Sequence, residues 1–148
     1  MANIRDEMPV LARHAGDWVG TYTLIDTEGA ILDKHGSHLT CQFPEDDPYS
    51  YYQTNRYHWS NGKREEHQFP GMYRDKKLWF DMERIQGHAW EADDSTVLLW
   101  FTYKSMPEIY LYEMIQISPC GNHRARTWQW FKNDQIYRRT LIQEERMR

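Results

Sequence analysis

Residues 13–26 read RHAGDWVGTYTLID. Before them, residues 4–14 have the pattern of one or two helical turns, and Gly16 stops that lead-in. Trp18 follows two residues later, where a strand pattern begins. Trp18, Gly20, Tyr22 and Leu24 then share one face, since strand side chains alternate. The largest side chain stands at the mouth of the first strand, directly after a glycine. That placement reads as a plug, with Trp18 stoppering one end of a small β-barrel.

The rest of the chain supports a barrel. Short strand patterns recur between turn signals: DTEGA at 26–30, SNGK at 60–63, DKK at 75–77, SMP at 105–107, PCGN at 119–122 and ND at 133–134. Asn61-Gly62 is the strongest of these, because both residues tolerate the positive φ of a tight hairpin. REEHQF, 64–69, reads as a strand ended by Pro70-Gly71. Residues 78–85 read as one strand and 88–92 as a short one. The last strand is expected over 135–143, with EERMR frayed beyond it. The fold class is all-β: an antiparallel up-and-down β-barrel of eight to ten strands with a short N-terminal helix, forming a single domain over 1–148. Closure removes exposed sheet edges, and eight strands leave room for one small ligand.

Composition narrows the function. The chain has 148 residues, enough for one core, and a net charge of −4. With a pI near 6.0 it has no basic stripe for nucleic acid. No apolar run approaches the ~20 residues of a spanning helix. Asp6 and Glu7 stand where an export signal needs apolar residues, which points to a cytoplasmic protein. Cys41 and Cys120 lie far apart in no metal or redox motif and read as free thiols. Aromatic residues make up 15% of the chain, with 7 Trp, 10 Tyr and 5 Phe. The mean hydropathy is only −0.90, so burial must come from rings, which also bring polar handles.

GDW at 16–18 matches the G-x-W of lipocalin and calycin barrels, which follows a short helix and starts the first strand. YYQTNRYHW (51–59), NGKREEHQFPGMY (61–73), GHAWEADDSTVLLW (87–100) and YLYEMIQIS (110–118) resemble an uncharacterised bacterial lipocalin-like domain family. The resemblance covers most of the chain. It implies that an arginine of the last strand packs across Trp18, a place that Arg138 or Arg139 is expected to fill. It transfers no activity residue by residue. Intracellular barrels of this shape include fatty-acid carriers, haem-binding proteins, acid–base decarboxylases and cyclases.

Alternation then nominates the interior. On the third strand Tyr51, Gln53, Asn55, Tyr57 and Trp59 are expected to face inward, opposite Arg56, which is costly to bury unpaired. Ile109, Leu111, Glu113, Ile115 and Ile117 form the greasier face of their strand. Glu113 there either pairs with Arg126 or Arg139, or is a general acid or base. His88 and Trp90 share a face and are expected to line the pocket. No histidine spacing matches a recognised metal motif, and no cofactor is called for.

Two functions follow. In the first, the cavity binds a small, mostly apolar or aromatic molecule, with Trp18, Tyr22, Gln53, Asn55, Trp59, His67, Trp90 and Arg139 as the binding set. In the second, the same cavity is a cofactor-free lyase, isomerase, hydratase or cyclase. Glu113 or His88 then moves a proton, while Tyr57 or Arg126 steadies developing negative charge. Aromatics on the outer sheet face would favour a homodimer.

Overall fold

The computed structural model describes residues 3–148. Met1 and Ala2, the start of the stretch read for an export signal, lie outside them. Two single-turn helices, α1 (Ile4–Glu7) and α2 (Pro9–Ala12), precede ten strands. These are β1 (Gly16–Asp26), β2 (Ile31–Gln42), β3 (Tyr51–His58), β4 (Arg64–Arg74) and β5 (Lys77–Asp81), then β6 (Ile85–Glu91), β7 (Thr96–Tyr103), β8 (Met106–Ile117), β9 (His123–Lys132) and β10 (Gln135–Arg146). Each strand pairs antiparallel with its neighbours in sequence, and β10 pairs with β1 to close the barrel. This is the expected fold class, with ten strands.

Turn chemistry sets the hairpins. Asp75-Lys76 and Asn133-Asp134 hold both central residues at positive φ, between 52° and 65°, which matches the right-handed twist of the strands they join. Gly16 has φ +115°, and a Cβ there would come within 3.1 Å of the Arg146 guanidinium. So the glycine of GDW is needed twice, for its backbone and for its missing side chain.

Three boundaries differ from expectation. Pro70-Gly71 does not end β4, which runs on to Arg74. Its residues 64–71 pair with β3, but only Met72, Tyr73 and Arg74 pair with β5. A proline therefore breaks no ladder on the β5 side, and a seam is left between β4 and the β5–β6 hairpin. Residues 78–85 are split by a turn closed by Met82 N–H to the Ile85 carbonyl, which starts a new strand at Ile85. The chain end does not fray before Arg146, because the β1 register continues to Trp18 opposite Arg146.

The helices cap one end of the barrel. Leu11 N–H donates to the Glu91 carboxylate, and the Arg13 side chain reaches the Ser118 and Pro119 carbonyls. Met8, Leu11, Trp18, Leu39, Leu78, Val97 and Leu111 are buried in the interior. Among the described residues no helix is long and apolar enough to cross a membrane.

Candidate functional site

The capped end is built round Trp18, which is 0% exposed. Its indole N–H donates to the His14 carbonyl at 2.9 Å. The Arg124 and Arg146 guanidinium carbons lie 4.6 and 4.4 Å from the ring centre. Cations over an aromatic face are held by the ring quadrupole. Arg146 also donates to the Arg13, Ala15 and Gly121 carbonyls. The expected partners, Arg138 and Arg139, are at the other end, because antiparallel register sets them opposite Asp26 and Ile25. Arg139 is exposed, while Arg138 covers Trp130 at 4.4 Å.

Above the plug lie four buried charges. Arg124 Nε donates to Glu144 at 2.6 Å, and Arg126 Nε donates to Glu113 at 2.6 Å. Arg126 Nη1 bridges to Glu144 and to the Tyr22 hydroxyl. Two cations and two anions therefore cancel inside the barrel. Burial pushes the Glu144 carboxyl up, but Arg126 and Arg124 together pull it below its ordinary range. Burial works against the Arg126 cation, yet Glu113, Tyr22 and Glu144 hold its pKa well above the usual value. Of the two roles open to Glu113, the structure shows the ion pair with Arg126.

Arg124 Nη1 lies 3.2 Å from His14 Nδ1. Burial first, then Arg124, Arg126, Arg13 and Arg146, lowers the His14 pKa to about 2. The folded protein thus refuses a proton that the unfolded chain accepts near pH 6.5. Stability contributed by His14 is complete above that pH and declines below it, at about 1.4 kcal/mol per pH unit. Denaturant midpoints of wild type and His14→Phe measured from pH 7.5 to about pH 5 test this, and the wild-type slope is expected to be the steeper. Parallel slopes would remove the effect from His14.

Along β3 the inward side chains form a chain of hydrogen bonds at successive i, i+2 positions. The Tyr51 hydroxyl donates to Gln53 at 2.6 Å, Gln53 to Asn55 at 2.8 Å, and Asn55 to the Tyr57 hydroxyl at 2.8 Å. Burial raises the pKa of the Tyr51 and Tyr57 hydroxyls, so both stay neutral phenols. Phe69 continues this wall on β4 beside Gln53, and Leu78, Phe80, Val97, Leu99 and Ile115 line the cavity from β5, β7 and β8. The cavity is about 80 Å³ and is lined also by Glu113, Arg126, His14 and Trp128. Its size suits one ring rather than an extended guest.

At the open end a second hollow of about 160 Å³ lies among Tyr22, His35, Tyr57, Trp128, Trp130 and Arg138. Here His35 Nδ1 meets Asp33 at 2.9 Å, and the Trp59 indole donates to the same carboxylate at 2.8 Å. Trp128 lines both hollows, and the Tyr57 and Trp128 rings pack on Tyr22 with ring centres 5.0 and 5.7 Å from it. His67 bonds Glu65 at 3.0 Å beside the β4–β5 seam.

So the structure brings Tyr22, Gln53, Asn55, Tyr57, Glu113 and Arg126 to the interior, sets Trp18 in the base, and leaves Trp59 and His67 at its openings. It does not bring His88 or Trp90 there. Ile85, Gly87 and Ala89 fill the inward positions of β6, where Phe80 and Phe101 leave little space, so the rings point out. On that outer face Met72, Trp79, His88, Trp100 and Tyr112 stand abreast across five strands. His14, Asp33, His35, Arg124, Glu144 and Arg146 were missed. Three signals were present: Asp33-x-His35 on one strand face, Arg124 and Arg126 on the same face as Trp128 and Trp130, and Glu144 in step with Ile142. His14 carried none.

Closed topology, a Trp plug after a short helical lead-in and an interior cavity define a lipocalin-like, calycin-type barrel. The chain belongs to the family described as domain of unknown function DUF3598, N-terminal, whose model matches residues 5–148. A DUF3598 protein of unknown function from Nostoc punctiforme PCC 73102 superposes with a TM-score of 0.70 at 16% identity, covering 93% of this chain and 49% of that one. The chain thus spans about half the length of that relative. The S-type phycobiliprotein lyase CPES from Guillardia theta gives 0.72 at 12% identity, covering 100% and 98%. Rv2717c from M. tuberculosis gives 0.67 at 12% identity, covering 96% and 98%. A search of the curated proteins returned no match.

Proposed function

We propose that the barrel binds a small, mostly apolar or aromatic molecule in its interior. The observation that carries this is the cavity itself, an apolar lining with a fixed polar row inside a closed barrel. Apolar walls supply affinity, and a few placed polar groups supply orientation. Binding raises the melting temperature by mass action. A thermal-shift screen with phenols, terpenoids and fatty acids is expected to yield hits among the smallest aromatic members. Ala89→Val, which takes up part of the cavity without a ring, is expected to weaken those shifts, with circular dichroism checking that the barrel stays folded. No shift with any apolar compound would refute the reading.

A second reading, a cofactor-free enzyme, draws on the open end. Asp33 orients His35 as a carboxylate orients a general base, and the hollow beside it is ring-lined. The phycobiliprotein lyase of similar fold gives this reading some support. It requires turnover of a screening hit that His35→Gln abolishes without weakening binding.

A further inference from the structure

We propose that the cavity selects an uncharged aromatic guest bearing a carbonyl oxygen, such as an aryl ketone or aldehyde. The inference rests on the binding reading above and adds the chemistry of the guest.

It begins with a tautomer. A guanidinium has no acceptor, so in the contact between Arg124 Nη1 and His14 Nδ1 the imidazole must accept. His14 is neutral, so its one proton sits on Nε2. That nitrogen has no partner among the described residues, although His14 is 2% exposed and lines the cavity. An orphaned N–H in such a place is costly, and an acceptor brought by a guest removes the cost.

Arg126 adds a second donor. Its Nε and Nη1 are taken by Glu113, Tyr22 and Glu144, while Nη2 donates to none of the described residues. Arg126 also lines the cavity. These two donors belong to one cluster, since Arg124 and Arg126 hold the same Glu144 carboxylate, and the buried Trp128 indole N–H on the same cavity also lacks a partner among the described residues. The cluster of His14 and Arg126 therefore asks its guest for an acceptor.

Charge decides which acceptor. Arg124 and Arg126 are already balanced by Glu113 and Glu144. A carboxylate guest would enter a desolvated space with no free counter-charge, whereas a carbonyl brings lone pairs and no net charge. The apolar lining of Phe69, Phe80 and Leu99, with Ile115 beside Arg126, is suited to the ring.

Three probes of nearly one shape separate the possibilities: acetophenone, α-methylstyrene, in which C=CH₂ replaces C=O, and benzoate. Dissociation constants come from chemical-shift titration of wild-type protein followed at the Leu78, Val97 and Ile115 methyls. Acetophenone is expected to bind about tenfold more tightly than α-methylstyrene, despite being the better hydrated, and benzoate most weakly. α-Methylstyrene binding as well or better overturns the inference while leaving an apolar binding site standing. Benzoate binding best overturns the neutral guest. If no probe moves those methyls, the binding reading falls as well. Independently of any guest, nitrogen shifts of His14 at pH 7 are expected to show a protonated Nε2, and a protonated Nδ1 overturns the donor assignment.

Discussion

Glu144→Leu is expected to lower stability by about 3–5 kcal/mol. Glu144 is 1% exposed and is, among the described residues, the only carboxylate bonded to Arg124, while also bridging to Arg126. Without it, Glu113 still balances Arg126, but Arg124 is left as an uncompensated cation beside Trp18. Taking away one partner costs far more than taking away both, because the penalty lies in the charge left behind. The double variant Arg124→Met, Glu144→Leu is therefore expected to recover much of the loss, although Arg124 also packs on the Trp18 ring. Urea unfolding of the two single variants and the double measures this coupling. A Glu144→Leu loss under about 1 kcal/mol, the range of an exposed pair, would contradict the buried network.

Trp18→Ala carries the other large penalty, about 3–5 kcal/mol for emptying a fully buried indole site. Its distinguishing mark is spatial. Trp18 receives Arg146 on its ring and donates to the His14 carbonyl, so its loss frees both ends of the chain at once. Amide exchange is expected to speed up first at residues 8–15 and 141–147. Trp18→Phe keeps a ring for the two arginines but lacks the N–H donor, so a smaller loss with less terminal loosening is expected. Uniform exchange acceleration across all ten strands would show that Trp18 is ordinary core rather than a plug.

The barrel was legible in the chain because its signals are local. Gly16 and Trp18 sit two residues apart, Asn61-Gly62 marks a hairpin by itself, and β3 alternates cleanly enough to place Gln53 and Asn55 inside. Glu113 among isoleucines pointed either to an ion pair with Arg126 or Arg139 or to an acid–base role, and the structure shows the pair with Arg126. What was not legible depends on distance in sequence. Which arginine meets Trp18 is decided by the register of β1 on β10, where Arg146 stands opposite Trp18 and Arg139 opposite Ile25. The facing of β6 differs from expectation for a related reason. Rings are usually assigned to the interior, but there the interior had already been filled by rings from neighbouring strands, and Gly87 and Ala89 took the inward places. His14 lies in a helical lead-in with no periodicity to aim it, and only Arg124, 110 residues away, gives it meaning.

The pairing of β1 with β10 bears on how the molecule is made. A ribosome releases the first strand long before the last one exists, and until residue 146 emerges the β1 edge has no lasting partner. Its exposed amides are open meanwhile to any passing strand, which is a route to aggregation. Assembly then waits on a closure between strands at opposite ends of residues 16–146, so slow, all-or-none folding follows from the same seam that makes the finished vessel edgeless.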